Sequence, residues 1–383
     1  MTIKNVAIFT ICSNNYVPMA KTLLQSAKRQ HPEAKLYICL ADKIVPGEKF
    51  YPSDCMIIPA EDLAIPDFRK FAFRYDVMEF NTAIKPFMFL DLIGRGHDTV
   101  LYFDPDIEIF TRLDAILEKL DGGASFVLTP HLLAPAEGSS EPDDVGIMRA
   151  GIYNLGFLGV GATTETPAIL NWWARRLRYQ CVNEQQQGLF VDQKFMDLVP
   201  GFASAACIMR DPRFNVAYWN LAQRSLAKDQ TGWLVDGKPL GFFHFSGIDP
   251  ANLTRLSKHS SAFRGDAIAA PLQALMQHYA EQVLANGFRD LRSYPYSYGH
   301  FISGNPIPAQ ARRLFRTQYE DLDGDPFATF EPVLQRVETS QMTQTSAEEL
   351  NRHLEDIYAS TSWRITRPLR MIKQLFKQQR SMN

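Results

Sequence analysis

The sequence predicts an α/β protein built on a mostly parallel central sheet flanked by helices. Two observations carry that expectation. Short apolar runs alternate with amphipathic helical stretches from the N-terminus to about residue 255. The runs are also unbroken, as strands covered on both faces require. Residues 5–11 (NVAIFTI) form the first such run, and residues 17–30 (VPMAKTLLQSAKRQ) follow with Met19, Leu23, Leu24 and Ala27 at helical spacing. Residues 35–41 (KLYICLA) are a second strand, which completes a βαβ unit. Two helical stretches come next (FRKFAFRYDVMEF and TAIKPFMFLDLI), with Pro86 at a start or a kink. Residues 99–103 (TVLYF) are a third strand. A helix at about 111–120, a strand at 125–130, a polar loop at 134–146 and a Gly-punctuated strand at 151–161 continue the series. Helices are expected at 167–180 and 191–200, the latter ended by Pro200, and a late strand at 240–247.

Beyond 255 the pattern changes. Residues 266–290 are helical, with Leu272, Leu275, Met276, Tyr279 and Val283 on one face. The expected organisation is therefore a catalytic domain at 1–255, a helical and aromatic-rich extension at 256–334, a polar linker at 335–347 and a C-terminal helix and tail at 348–383. Ser346 with Glu349 three residues later marks a helix start.

Composition narrows the function classes. The 383 residues carry 40 Lys and Arg against 42 Asp and Glu, so no basic field favours nucleic acid. Five cysteines, an odd number with no CxxC pair, fit reduced thiols in a cytoplasmic protein. No apolar run approaches the ~20 residues of a membrane span.

Chemistry concentrates where the third strand ends. In VLYFDPDIEIF, Asp104 and Asp106 stand one residue apart at the carboxyl end of a buried strand, where open parallel sheets bind ligands. Two like charges in a dry setting are costly unless something holds them together. Their hard oxygens suit Mg²⁺ or Mn²⁺; equally, Asp-Pro-Asp is good turn chemistry. In GFFHFSG, His244 is either a packed aromatic-core residue or a third ligand, and an imidazole would favour Mn²⁺.

Five segments in order resemble the retaining glycosyltransferases of the glycogenin and lipopolysaccharide galactosyltransferase type. They are YFDPD (102–106), YNLGFLGV (153–160), VDQKF (191–195), PRFNVAYWN (212–220) and HFSG (244–247). The resemblance implies a GT-A fold, a nucleotide-diphosphate sugar donor (a UDP-sugar favoured) and a divalent ion held by Asp104, Asp106 and His244. It implies that Thr10, Asn14 and Tyr16 hold the base, and that Lys85 reaches a phosphate or the sugar. Asn154 and Gly156 would line the donor sugar and Asp192 and Gln193 would lie at its reacting face, while Gly247 allows close backbone approach to the bound cofactor. One departure is plain. The family continues its His-Phe-x-Gly with a Lys-Pro-Trp whose lysine meets the diphosphate, whereas this chain has GIDPANL; Arg255, Lys258 and Lys85 are the candidate substitutes.

Residues 360–370 (STSWRITRPLR) resemble a segment of bacterial surface-polysaccharide glycosyltransferases, which points to O-antigen (lipopolysaccharide), capsule or similar glycan assembly rather than to glycogen. Arg370, Lys373, Lys377 and Arg380 would share one helix face and Leu369, Ile372, Leu375 and Phe376 the other, the pattern of a helix lying on anionic lipid. The expectation is a peripheral enzyme at the inner face of the cytoplasmic membrane, acting on a glycan or lipid-linked acceptor. Two alternatives stand beside it. One is a catalytically degenerate glycan-binding or scaffold protein of an assembly complex. The other is a sugar nucleotidyltransferase, which should carry a Gly-rich phosphate loop after its first strand, where this chain has CSNNYVPMAK.

Overall fold

The computed structural model describes residues 5–137, 141–337, 339, 352–356 and 359. Its frame is a seven-stranded sheet. The strands are β1 (Val6–Cys12), β2 (Lys35–Leu40), β3 (Met56–Pro59) and β4 (Thr99–Phe103), then β6 (Phe126–Leu128), β7 (Phe157–Gly161) and the strand Ala206–Ile208; β5 (Ile107–Ile109) stands outside it. The order is β3-β2-β1-β4-β7-β6, closed by Ala206–Ile208. Every neighbouring pair is parallel except those of β7, which runs antiparallel to both β4 and β6. The mostly parallel α/β architecture is the one the unbroken apolar runs predict; all five residues of β4 and of β7 are buried. The short strand β3 and the antiparallel sense of β7 carry no periodicity that marks them out beforehand.

The helices follow from local chemistry. α1 (Val17–Gln30) has Pro18 in its first turn and Lys28 and Arg29 in its last, where they face the negative end of the helix dipole. The next two helical stretches resolve into three, α2 (Phe68–Arg74), α3 (Val77–Ala83) and α4 (Lys85–Gly94). Asp76 and Glu79 form a capping box that restarts the chain as α3, and Pro86 lies in the first turn of α4. α5 (Asp114–Asp121) and α6 (Asp144–Ala150) follow, the latter starting within the segment expected as a loop because Asp143 caps it, accepting from Gly146 N at 2.7 Å. α7 (Thr166–Gln180) matches expectation, whereas residues 191–200 divide into α8 (Gln193–Met196) and a second short helix, Val199–Phe202. Pro200 sits in the first turn of that second helix instead of ending one, a position where its missing N–H costs nothing.

Among the described residues, those up to Asp321 form one compact unit and those from Leu322 belong to a second. The helix Ala270–Ala285 belongs to the first. Its predicted apolar face is buried in one cluster with Met19, Phe243 and Phe245, and the Phe245 and Tyr279 rings stack at 3.8 Å. The extension beyond residue 255 thus anchors the chain directly after His244. In the second unit Asp325 caps the short helix Pro326–Thr329. Residues 331–337 are helical, so helix enters the stretch expected as a linker, and residues 352–356 are helical within the expected C-terminal helix. The basic tail from residue 360 onward lies outside the described residues. Among the described residues, no helix is long and apolar enough to cross a membrane.

Candidate metal centre

β4 ends at Phe103 and the chain turns at once, with Ile107 N donating to Asp104 O at 3.1 Å. The turn that Asp-Pro-Asp favours is therefore formed, and it aims both carboxylates to one side. β5 then pairs antiparallel with the strand Phe242–His244, in a register that sets His244 opposite Ile107 and so beside Asp106. Phe245 N donates to Asp106 O (2.9 Å) and fixes that register. His244 Nε2 lies 3.0 Å from Asp106 Oδ1 and 3.7 Å from Asp104 Oδ2. One ligand-capable atom from each of Asp104, Asp106 and His244 falls within 4.8 Å of the others. The His244 side chain is buried, while those of Asp104 and Asp106 keep 30% and 18% of their surface, so the cluster opens to solvent on the carboxylate side.

The electrostatics are mutual. Burial alone would raise the Asp106 carboxyl, but the His244 imidazole outweighs it and holds the carboxyl below its usual range. Burial alone would lower the His244 imidazolium, but Asp106 and then Asp104 outweigh it and raise its pKa. Tyr102, buried in β4, donates its phenol to Asp104 Oδ1; burial and the Asp104 charge push that phenol well above its usual pKa, so it stays a donor.

Behind the cluster lies a wholly interior pair. Lys85 Nζ, in the first turn of α4, is 2.5 Å from Asp192 Oδ2, and each side chain is 2% exposed. The contact is an ion pair by distance, but Oδ2 lacks a well-angled hydrogen bond. Lys85 also donates to Leu155 O (2.9 Å) and lies over the Tyr102 ring at 4.3 Å. Burial raises the Asp192 carboxyl; Lys85 opposes that and Asp104 adds to it. Gln193 is equally committed, accepting from Leu155 N (3.0 Å) and donating to Ala150 O (2.9 Å).

Two cavities flank the cluster. One, of about 230 Å³, is lined by Ser13, Tyr16, Val77, Met78, Tyr102 and both aspartates. Of the trio expected at the base, Tyr16 is 40% exposed there, whereas Thr10 and Asn14 are fully buried. Asn14 is spent inside the protein: it accepts from Tyr51 Oη (2.6 Å) and donates to Lys43 O (3.0 Å). The second cavity, of about 280 Å³, is lined by His131, Phe190, Tyr218, Trp219 and His259 beside Asn154 and Gln193. Gly156 abuts the His244 ring so closely that a Cβ would stand 2.5 Å from its Nδ1. Gly247 has φ +77°, and a Cβ there would meet Ser257 Oγ and His259 Cδ2 at 2.7 Å. Of the candidate replacements for the absent lysine, Lys85 is sealed against Asp192, and the backbone of Arg255 pairs with that of Arg264. Lys258 instead donates its backbone N–H to Gly247 O (2.9 Å), and its neighbour His259 lines the second cavity.

Sequence reasoning did not single out Ser13, Val77, Met78, His131, Tyr218, Trp219 or His259. Tyr218 and Trp219 sit inside a quoted motif and Ser13 inside the turn after the first strand; the others carry no local signal, because only the fold brings them to the site.

No protein-family model matches the chain. It is 24% identical over 268 residues to the uncharacterized protein YfnF of Bacillus subtilis (strain 168), covering 68% of this chain and 87% of that one. It is 22% identical over 244 residues to YfnD of the same organism, covering 62% and 76%. Solved structures similar to it include the galactosyltransferase LgtC in complex with donor and acceptor sugar analogs (TM-score 0.39, 15% identical, covering 73% of this chain and 95% of that one). Another is the glycosyltransferase GlyE of Streptococcus pneumoniae TIGR4 (TM-score 0.40, 15% identical, covering 78% and 67%).

Proposed function

We propose that this chain is a divalent-metal-dependent glycosyltransferase that takes a sugar from a nucleoside-diphosphate sugar, a UDP-sugar by preference. The observation that carries the reading is the convergence of Asp104, Asp106 and His244 at the carboxyl end of β4, open toward a cavity with Tyr16, Val77 and Met78 on its walls. The donor set fits a divalent ion: two hard oxygens whose repulsion needs an offsetting charge, and one imidazole nitrogen that favours Mn²⁺ over Mg²⁺. When bound there, the ion supplies a positive charge that stabilises the departing diphosphate. The apolar side chains of Val77 and Met78 suit a base face, and Tyr16 offers a ring to stack on it.

Retention without a protein nucleophile is the mechanism we favour. Asp192 is the nearest candidate nucleophile, and its charge is spent on Lys85 in a sealed interior. The role of the absent lysine falls in this reading to the segment Ser257–His259, which Gly247 admits to the site. The acceptor is a bacterial surface glycan or lipid-linked oligosaccharide, a reading that rests on the sequence of the tail.

The test is calorimetric titration with UDP, GDP, dTDP and CMP, each with Mn²⁺ and with chelator. Mn²⁺-dependent binding of one nucleoside diphosphate is expected, and Asp106→Asn should abolish it with the melting temperature shifted by no more than a few degrees. No binding by a folded sample would leave the Asp-Pro-Asp segment as a turn only and bring the glycan-binding scaffold reading forward.

A further inference from the structure

His244 has two ring nitrogens, and only one can face a metal. Nε2 points at the aspartates; Nδ1 lies 3.2 Å from Asn154 Oδ1. The identity of that oxygen is fixed independently, because it also accepts from the backbone N–H of Gly156 at 3.1 Å, a group that can only donate. His244 Nδ1 must therefore carry the hydrogen, which leaves the Nε2 lone pair for a ligand. The other end of the Asn154 amide, Nδ2, is a donor and lies 3.3 Å from His131 Nε2, with a longer contact of 3.4 Å to Gln193 Oε1. His131 Nε2 must then accept, so its Nδ1 carries the hydrogen, and that atom lies 3.2 Å from the carbonyl oxygen of Ile152. The chain of donors is closed at both ends by backbone groups that admit one polarity only, Gly156 N–H and Ile152 C=O. Trp219 packs edge-on against both imidazoles, 5.2 Å from each ring centre, and so holds both planes. Asn154, His131 and His244 are all buried.

We infer that His131 is a positioning residue for the metal centre: through Asn154 it holds His244 in the Nδ1–H tautomer that presents Nε2 to a divalent ion. The inference rests on the metal reading of Asp104, Asp106 and His244, and partners of a ligand's remote nitrogen ordinarily set its tautomer and orientation. It gives a purpose to a histidine far from the aspartates in sequence, and it assigns the Asn154 amide to the ligand histidine.

The tautomer can be read without any metal. Nitrogen-15 NMR of the metal-free protein, at a pH where His244 is neutral, should show Nδ1–H only. In His131→Phe the signal should move toward a mixture of tautomers, and Mn²⁺ affinity measured by calorimetry should fall by roughly 10–100-fold. His131→Gln should restore most of both, because its amide can donate to Ile152 O and accept from Asn154 together. His131→Asn, too short to span both ends, should behave like the phenylalanine variant and provides a second loss-of-contact probe if that variant does not fold. An unchanged Nδ1–H signal with unchanged Mn²⁺ affinity in the Phe or Asn variant would overturn the inference, as would an Nε2–H tautomer in the parent protein. Should the parent protein bind no Mn²⁺, the metal reading fails separately, and the tautomer in the variants still decides the role of His131.

Discussion

Two charged pairs lie side by side in this molecule and are built to opposite specifications. Asp106 with His244 is open: its carboxylate keeps some solvent, and a second carboxylate, that of Asp104, shares the one imidazole with it. Asp192 with Lys85 is closed, sealed on both sides and balanced one charge against one. A balanced buried pair needs nothing further, whereas two carboxylates sharing one imidazole at a cavity mouth leave room for the divalent ion proposed above. In the proposed reading, the contrast separates a residue that binds from a residue that braces, although both are acids within a family-like motif.

Breaking the closed pair should have the largest effect. Lys85→Met leaves Asp192 buried and uncompensated, which should cost about 3–5 kcal/mol in denaturant unfolding. The double variant Lys85→Met/Asp192→Leu should recover most of that loss; if it does not, the pair is more than a brace. Next comes the interior behind the open pair, which tolerates no added charge. Burial lowers the His131 pKa to about 4 from 6.5, against the hydrogen bond to Ile152 and with help from His244. A depressed histidine contributes stability that is present above its unfolded pKa and lost as pH falls through the folded value. Stability should therefore decline between about pH 6.5 and 4, by on the order of 3 kcal/mol from this group. His131→Gln should flatten that part of the pH profile. The smallest change sharpens the open pair alone. In Gly156→Ala the new methyl would press on the His244 ring, so Mn²⁺ affinity should fall about tenfold, equivalent to ~1.4 kcal/mol. Lys85 and Asp192 should remain paired, which thermal unfolding would confirm by a shift of only a few degrees.

Much of the frame could be read from the chain because its signals are local. The strand Thr99–Phe103 and the helix Val17–Gln30 fall where unbroken apolar runs and helical spacing put them. Elements whose signal is not local escaped. β3 is a short run behind a Pro- and Asp-rich loop, and the antiparallel sense of β7 is a property of the sheet, not of the residues 157–161. The same division runs through the site. Asp104 and Asp106 announce themselves by position after a strand. His131 does not, because a histidine followed by two leucines reads as ordinary core until the fold sets Asn154 against it. Asn14 shows the converse, since its place after the first strand suggests ligand contact while its hydrogen bonds go to residues 43 and 51.

The antiparallel strand β7 has a consequence for how the protein is made. Because it enters the sheet against the direction of β4, the segment before it reaches the edge where β4 ends, and Asp104 N can donate to Gly156 O at 2.7 Å. The third contributor, His244, arrives only with one of the last strands of the first compact unit. Closing such distant loops is slow and entropically unfavourable until the final contacts form. During synthesis on the ribosome the two carboxylates therefore emerge long before their imidazole, and a chain truncated ahead of Phe242 should have strands but no metal affinity. Uptake of Mn²⁺ would then serve as a clock for the last step of folding.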